Sequence, residues 1–487
     1  MSRVRKSVFL IFAENYSTLI IQFLSTLILA RLLTPAQIGI FSVAAVAVSL
    51  AHTVRDFGVG QYIIQENDLT PDRIRAAFGL AIVTAWTVAA ALYAISKPFA
   101  LFYAEPGVEE VMHLLVINFL LLPFSTVPLA LWRRELNFVP PYIIKTSGTL
   151  VHACTAVGLA YLGFGYMSMA WAAVASIAAI SILSNLLRPS NMPWLPGIRE
   201  YRRVLSFGSM VSTAVVVKEL GTGAPDLIIG RVLGMGPVAI FGRAMGLVQL
   251  FERYICSAAK GVILPHFSAA HREGRTLKAG YLQALGMITG LAWPFYGFLA
   301  LMAYPIIRIL YGNQWDAAVP LVGILALYGA VNVLFYFGDS TLLALGEAKN
   351  NMQIEFIRQP LTVGLILLGS SFGLEHVAIA LALSAVMGSV ISHHFVRRHI
   401  GLEWGDIVTA TRKSLALSLI CLSGPAIVAT TMNITAENLV LPLLCAALSF
   451  GIGWLIGVPA LKHPLHDELK KVFAKMGSII TTRIKTR

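Results

Sequence analysis

Stretches of about twenty apolar residues recur from one end of this 487-residue chain to the other, and a helix needs roughly that length to cross a ~30 Å hydrocarbon core. A backbone inside hydrocarbon must satisfy its own hydrogen bonds, so such runs become helices. They place spans near 8–33, 38–62, 76–96, 111–131, 143–162, 166–187 and 204–230, then near 238–265, 281–304, 317–345, 354–373, 376–396, 411–431 and 438–459. With 57% hydrophobic and 13% charged residues, lipid is the solvent for most of the chain. The expected fold class is an all-α polytopic membrane protein with about fourteen transmembrane helices. The basic start, MSRVRKS, precedes an apolar run too long for a signal-peptide core, so it reads as a retained first span.

A net charge of +13 would suggest nucleic acid in a soluble protein. Here the basic residues sit in short segments between apolar runs, and positively charged loops are kept on the cytoplasmic side. Alternate connections collect 28 of the 37 Lys and Arg residues, from Arg3, Arg5 and Lys6 to the tail after Lys462. The opposite side receives Arg31, Lys97, Arg231 and Arg308, together with Glu105, Glu109 and Glu110. An even number of spans with both termini cytoplasmic satisfies this pattern. Membrane lipids, and no nucleic acid, are the expected surroundings. The four cysteines lack metal-ligand or disulfide spacing.

Residues 28–44, ILARLLTPAQIGIFSVA, return at 228–244 as IIGRVLGMGPVAIFGRA. Six positions are identical: Ile28, Arg31, Leu33, Ile40, Phe41 and Ala44 match Ile228, Arg231, Leu233, Ile240, Phe241 and Ala244. Six spans separate the copies, so both begin with a helix running outward and the repeat is parallel. The expected organisation is an N-terminal six-helix lobe, 1–190, a C-terminal six-helix lobe, 191–400, two extra transmembrane helices, 401–460, and a basic cytoplasmic tail, 461–487. A substrate site is expected between such repeats.

No enzyme motif is present, and the longest non-cytoplasmic connection, from Lys97 to Glu110, leaves no room for a catalytic domain outside the membrane. Nothing calls for a cofactor or a metal. Ionisable residues inside spans carry the most information, because each costs roughly 2.5 to 3.5 kcal/mol at mid-membrane on the lenient insertion scale. The basic ones are Arg55, Lys218, Arg243, Arg253 and Lys260; the acidic ones are Glu14, Glu219, Asp226 and Glu252. Residues seven apart lie about 20° apart on an α-helix, which puts Glu219 with Asp226 and Arg253 with Lys260. Two explanations compete. The basic residues line a cavity that attracts a phosphate-bearing anion, or they form interhelical ion pairs and snorkel to an interface. Asp226 either counters Lys218 or Arg231, or binds a coupling proton or sodium ion. Arg31 and Arg231 are expected to anchor helix ends at the outer interface.

The stretches LARLLTPAQIGIFSVAAV, DFGVGQYIIQ, DLIIGRVLGMGPVAIFGRAMGLVQ, YGNQWDAAVPLVGILAL and LLALGEAKNNM resemble the polysaccharide transporter family of oligosaccharide-lipid flippases. The pattern is most similar to its WzxC-like exporters, within a superfamily that also holds lipid II flippases and multidrug extruders. The similarity covers most of residues 8–400. It implies a two-lobed flippase in the bacterial inner membrane that moves an undecaprenyl-pyrophosphate-linked oligosaccharide outward by alternating access, with a polymerase and glycosyltransferases as working partners. Asp226 and Arg231 fall on the family's D-x-x-I-I-G-R stretch. Phe241 stands where the family often has a tyrosine.

Overall fold

The computed structural model describes residues 3–55, 58–190, 192–193, 195–197, 219–468 and 470. Lys218, the first part of the expected seventh span and the basic tail beyond Lys470 lie outside the described residues. Among those described, the chain is helical, and the only β pairing is an isolated bridge between Thr435 and Asn438.

Helix α1 runs Arg3–Leu32 and α2 runs Pro35–Arg55. The break between them is written locally. Gln37 Oε1 accepts from the Thr34 amide at 3.0 Å, and the Gln37 amide donates to Thr34 Oγ1 at 3.3 Å. This reciprocal cap, with Pro35 at the first helical position, closes the amide end of α2. The second copy of the repeat breaks at the matching place: the described part of α9 covers 219–232, and α10 begins at Met235 (Met235–Phe251). Phe12, Tyr16, Ile20, Leu24 and Ile28 form an exposed stripe along α1 at four-residue spacing, as a lipid-facing surface should.

Between these copies lie α3 (Val59–Gln65), α4 (Pro71–Tyr103), α5 (Pro106–Leu121), α6 (Pro123–Arg134), α7 (Val139–Tyr161) and α8 (Met167–Leu186). Proline at the start of α6 divides α5 from α6 with a 47° bend, because proline removes a donor and crowds the preceding turn. Helices α7 and α8 form a hairpin whose turn uses Gly163 at φ 86° and Gly165 at φ 55°, values an L side chain resists. After α10 come a π-helical turn at Glu252–Cys256, α11 (Ser257–Arg272), α12 (Lys278–Leu301) and α13 (Ala303–Leu310). A 3-10 turn at Asn313–Ala318 leads to α14 (Val319–Asn332), and another at Val333–Phe335 leads to α15 (Gly338–Ala344). Helices α16 (Ala348–Ser370), α17 (Leu374–Ile400), α18 (Trp404–Thr431) and α19 (Val440–Ala460) follow.

Ten helical segments among the described residues are long and apolar enough to cross a membrane, eleven if the bent α5–α6 pair is one span. Three expected spans fall outside that set. The span at 204–230 is only partly described, that at 238–265 is interrupted by the π turn, and that at 354–373 lies in α16, which carries Lys349, Glu355 and Arg358.

The chain divides into two compact units, Met1–Ala239 and Ile240–Arg487. In the first, Val59, Tyr62, Ile63, Phe78, Val127, Leu131 and Met192 bury one another. Arg134 on α6 donates to the Ile63 carbonyl at 2.7 Å and the Glu66 carbonyl at 2.6 Å, capping the end of α3. In the second unit the last two spans pack onto α12 through α18. There Thr289 and Ser414 hydroxyls meet at 2.9 Å, and His463, just past α19, bonds Ser414 at 3.1 Å. Gly290 leaves room for that imidazole: a Cβ there would sit 2.3 Å from His463 Cε1.

Candidate functional site

In the first unit the expected ionisable residues are dispersed. Glu14 on α1 pairs with Lys145 on α7 at 2.6 Å, with 12% of the Glu14 side chain exposed. Helix α7 begins at Val139 and carries Lys145 in its second turn, within the span expected over 143–162. Arg55 ends α2 and donates to Thr126 on α6 at 3.3 Å. Glu219 on α9 accepts from Ser49 on α2 at 2.8 Å.

Asp226 stands on nearly the same face as Glu219, as seven-residue spacing requires. That face packs on α2, since a Cβ on Gly223 would meet Val46 and one on Gly230 would meet Val43. Asp226 makes no ion pair among the described residues. Arg231 is not its partner: five residues turn a helix by about 140°, and the Arg231 guanidinium lies 5.1 Å from the centre of the Phe102 ring. Arg231 and Arg31 are both exposed, where interfacial anchors belong. Lys218, the other candidate counter-charge, is outside the described residues.

The second unit holds the remaining basic candidates, on one continuous stretch of helix. Arg243 on α10 lies over two aromatic rings, 5.0 Å from Trp315 and 5.4 Å from Tyr311. The YGNQW motif builds that floor. Tyr311 follows α13, Gly312 turns the chain at φ 99°, and the 3-10 turn carries Trp315 back into the core, where it is fully buried. The neighbouring carboxylate is already taken: Asp316 accepts from Arg308 Nε at 2.7 Å. Arg243 has no carboxylate partner among the described residues, and its Nε is buried without an acceptor. A cation held by ring faces alone keeps most of its capacity to bind an anion.

Arg253 and Lys260 do not share a face. The π turn at Glu252–Cys256 widens the helix between them and rotates everything after it, so the seven-residue rule fails here. Arg253 is exposed and bonds Gln249 one turn back at 2.8 Å. Lys260 points instead to Asp339 on α15 and forms an ion pair with it, while its ammonium stands 5.3 Å from the centre of the Tyr336 ring. Glu252 lies within electrostatic reach of Tyr296, Tyr328 and Tyr336. Sequence reasoning missed Asp339, although it lies in an expected span and the criterion that found Glu252 applies to it equally. It also missed the aromatic floor under Arg243, because spacing along the chain does not reveal a contact between α10 and the turn after α13.

A family model described as polysaccharide biosynthesis protein matches residues 28–320, which is more than half of the chain. The chain belongs to this polysaccharide biosynthesis family. Among its relatives, the teichuronic acid biosynthesis protein TuaB of Bacillus subtilis is 25% identical over 342 residues, 68% of each chain. The lipopolysaccharide biosynthesis protein WzxC of Escherichia coli is 20% identical over 455 residues, 92% of each. The succinoglycan biosynthesis transport protein ExoT of Rhizobium meliloti is 27% identical over 316 residues, covering 63% of this chain and 62% of ExoT. In fold, this family member is similar to the lipid II flippase MurJ in an inward closed conformation, with TM-score 0.75, 12% identity and coverage of 93% and 99% of the two chains. An inward-facing multidrug transporter of the MATE family gives TM-score 0.61 at 16% identity, covering 79% of this chain and 94% of its own. These likenesses establish a multi-pass transporter fold.

Proposed function

We propose that this protein is a flippase that carries undecaprenyl-pyrophosphate-linked oligosaccharide units outward across the bacterial inner membrane, for exopolysaccharide, capsule or O-antigen synthesis. A charged, hydrogen-bonding headgroup loses several kcal/mol on entering hydrocarbon, so it needs a polar route while its lipid tail stays in the bilayer. Basic side chains on α10 and α11 supply the complement to pyrophosphate. The observation that carries the reading is Arg243, a half-buried cation on α10 with aromatic neighbours and no carboxylate partner among the described residues. Arg253, exposed beside Gln249, is its second member. Membership of the polysaccharide biosynthesis family and the relative named as a succinoglycan transport protein support the cargo class.

The mechanism follows as alternating access, with both termini cytoplasmic and transport rather than catalysis as the activity. Asp226, seated on the α2 face without an ion pair among the described residues, is the best-placed carboxylate for a coupling proton or sodium ion. Polymerases and glycosyltransferases are the partners that would use and supply such a cargo. Changing Arg243 and Arg253 together to alanine should stop polymer export in the native host while the protein stays in the membrane. Normal export by that variant removes the proposal. Two other readings give different results: a drug extruder would leave polymer export intact on deletion, and a non-transporting assembly component would fail to flip a lipid-linked sugar in liposomes.

A further inference from the structure

Lys260 and Asp339 form an ion pair inside a membrane protein, yet each side chain keeps about a third of its surface open, 33% and 31%. An ion pair open to hydrocarbon is expensive, so an open side toward water is the favourable arrangement. Both partners also sit beside irregular backbone. The π turn at Glu252–Cys256 precedes Lys260 by one turn, and the 3-10 turn at Val333–Phe335 precedes Asp339. The second break is braced by Tyr281, which donates to the Leu334 carbonyl at 3.3 Å, and Asp339 Oδ1 accepts from the Ser340 amide at 2.8 Å. Asp339 is therefore fixed by its own backbone, whereas Lys260 reaches it at the end of a flexible four-carbon stem. Tyr281 and Tyr336 also lie within electrostatic reach of Asp339, and α17 meets this turn with Val396.

Lys278, at the start of α12, makes a similarly open pair with Asp406, whereas two arginines of this unit differ. Arg308 is locked by Asp316 through a planar fork, and Arg243 has no carboxylate partner among the described residues. Lysine is a compact point charge that changes partners easily. We infer that Asp339 is the resting counter-ion of Lys260, competing with the cargo's pyrophosphate for that ammonium and so weakening binding enough for the cargo to be released. This rests on the flippase reading and assigns Asp339 an affinity-setting role in it. Asp339 touches Lys260, not the cargo.

The consequence is opposite to that of ordinary damage. Removing a structural ion pair should weaken binding, whereas removing a competitor tightens it. The probe is farnesyl diphosphate glucose in detergent micelles, measured by calorimetry on the full chain, together with flipping of the same lipid in liposomes. Asp339→Asn should bind about twofold to fivefold tighter and flip more slowly at saturating lipid. Lys260→Gln should bind at least about threefold more weakly, and adding D339N to it should restore nothing. Equal or weaker binding by D339N overturns the inference and leaves the flippase reading standing. Should D339N fail to fold, unchanged binding by K260Q overturns it equally. No binding by the unaltered protein removes the flippase reading and the inference together.

Discussion

Replacing Arg243 in graded steps separates its charge from its shape. The guanidinium stands over Trp315 and Tyr311 with no carboxylate partner among the described residues. Arg243→Gln removes the charge and keeps much of the stem. A hydrogen bond to a charged group contributes about 1.5 to 3 kcal/mol, so pyrophosphate-lipid binding should fall by about tenfold to a hundredfold. Arg243→Lys keeps the charge but loses the planar fork and most of the stacking, which at a partly buried site contributes about 1 kcal/mol; binding should fall only about fivefold. Trp315→Phe keeps the charge and loosens the floor, and should resemble the lysine variant. The assay is calorimetric binding of farnesyl diphosphate glucose, with membrane content and melting temperature measured alongside. The order wild type, then R243K, then R243Q is the expected outcome. Binding by R243Q equal to wild type, at unchanged membrane content, would refute the assignment of Arg243 to the anion site.

The Glu14–Lys145 pair ties α1 to α7, and a double-mutant cycle with alanine should give a coupling of about 1 kcal/mol, reduced from a fully buried pair because Lys145 is partly solvated; additive single effects would show that the pair does not hold. Gly39 on α2 approaches the chain so closely that a Cβ would lie 1.8 Å from the Met235 carbonyl oxygen, so Gly39→Val should destabilise by about 3 kcal/mol or more, read as a lower melting temperature; an unchanged value would mean that α2 and the start of α10 do not meet. Burial, helped by the Lys413 charge, pushes the His463 imidazole down to about 4. A released segment, with an imidazole near 6.5, binds a proton that the docked one does not, so docking is fully stable above about pH 7 and weakens as pH falls toward 4. Hydrogen exchange at 461–468, corrected for intrinsic rates, should rise across that window, and a flat profile contradicts a neutral docked His463.

Eleven of the expected spans are legible, counting the bent α5–α6 pair as one, because hydrophobic length is a local property. The helix breaks were legible for the same reason: Thr34, Pro35 and Gln37 write the start of α2, and the matching break at 233–234 follows from the repeat. Where the helix deviates, linear reasoning failed. The rule that put Arg253 and Lys260 on one face assumes uniform 100° steps, and the π turn between them cancels it.

Residue order alone carries the helical, membrane-embedded character of the chain and the repeated stretch at 28–44 and 228–244, because hydrophobic length is local and hydrocarbon penalises an unpaired backbone group whatever surrounds it. Which of the charges find partners is a matter of packing. Glu14 and Lys260 find opposite charges on helices far away in the chain, while Arg243 finds aromatic rings instead. Pairing depends on distances between helices, which side-chain packing fixes and residue order does not record.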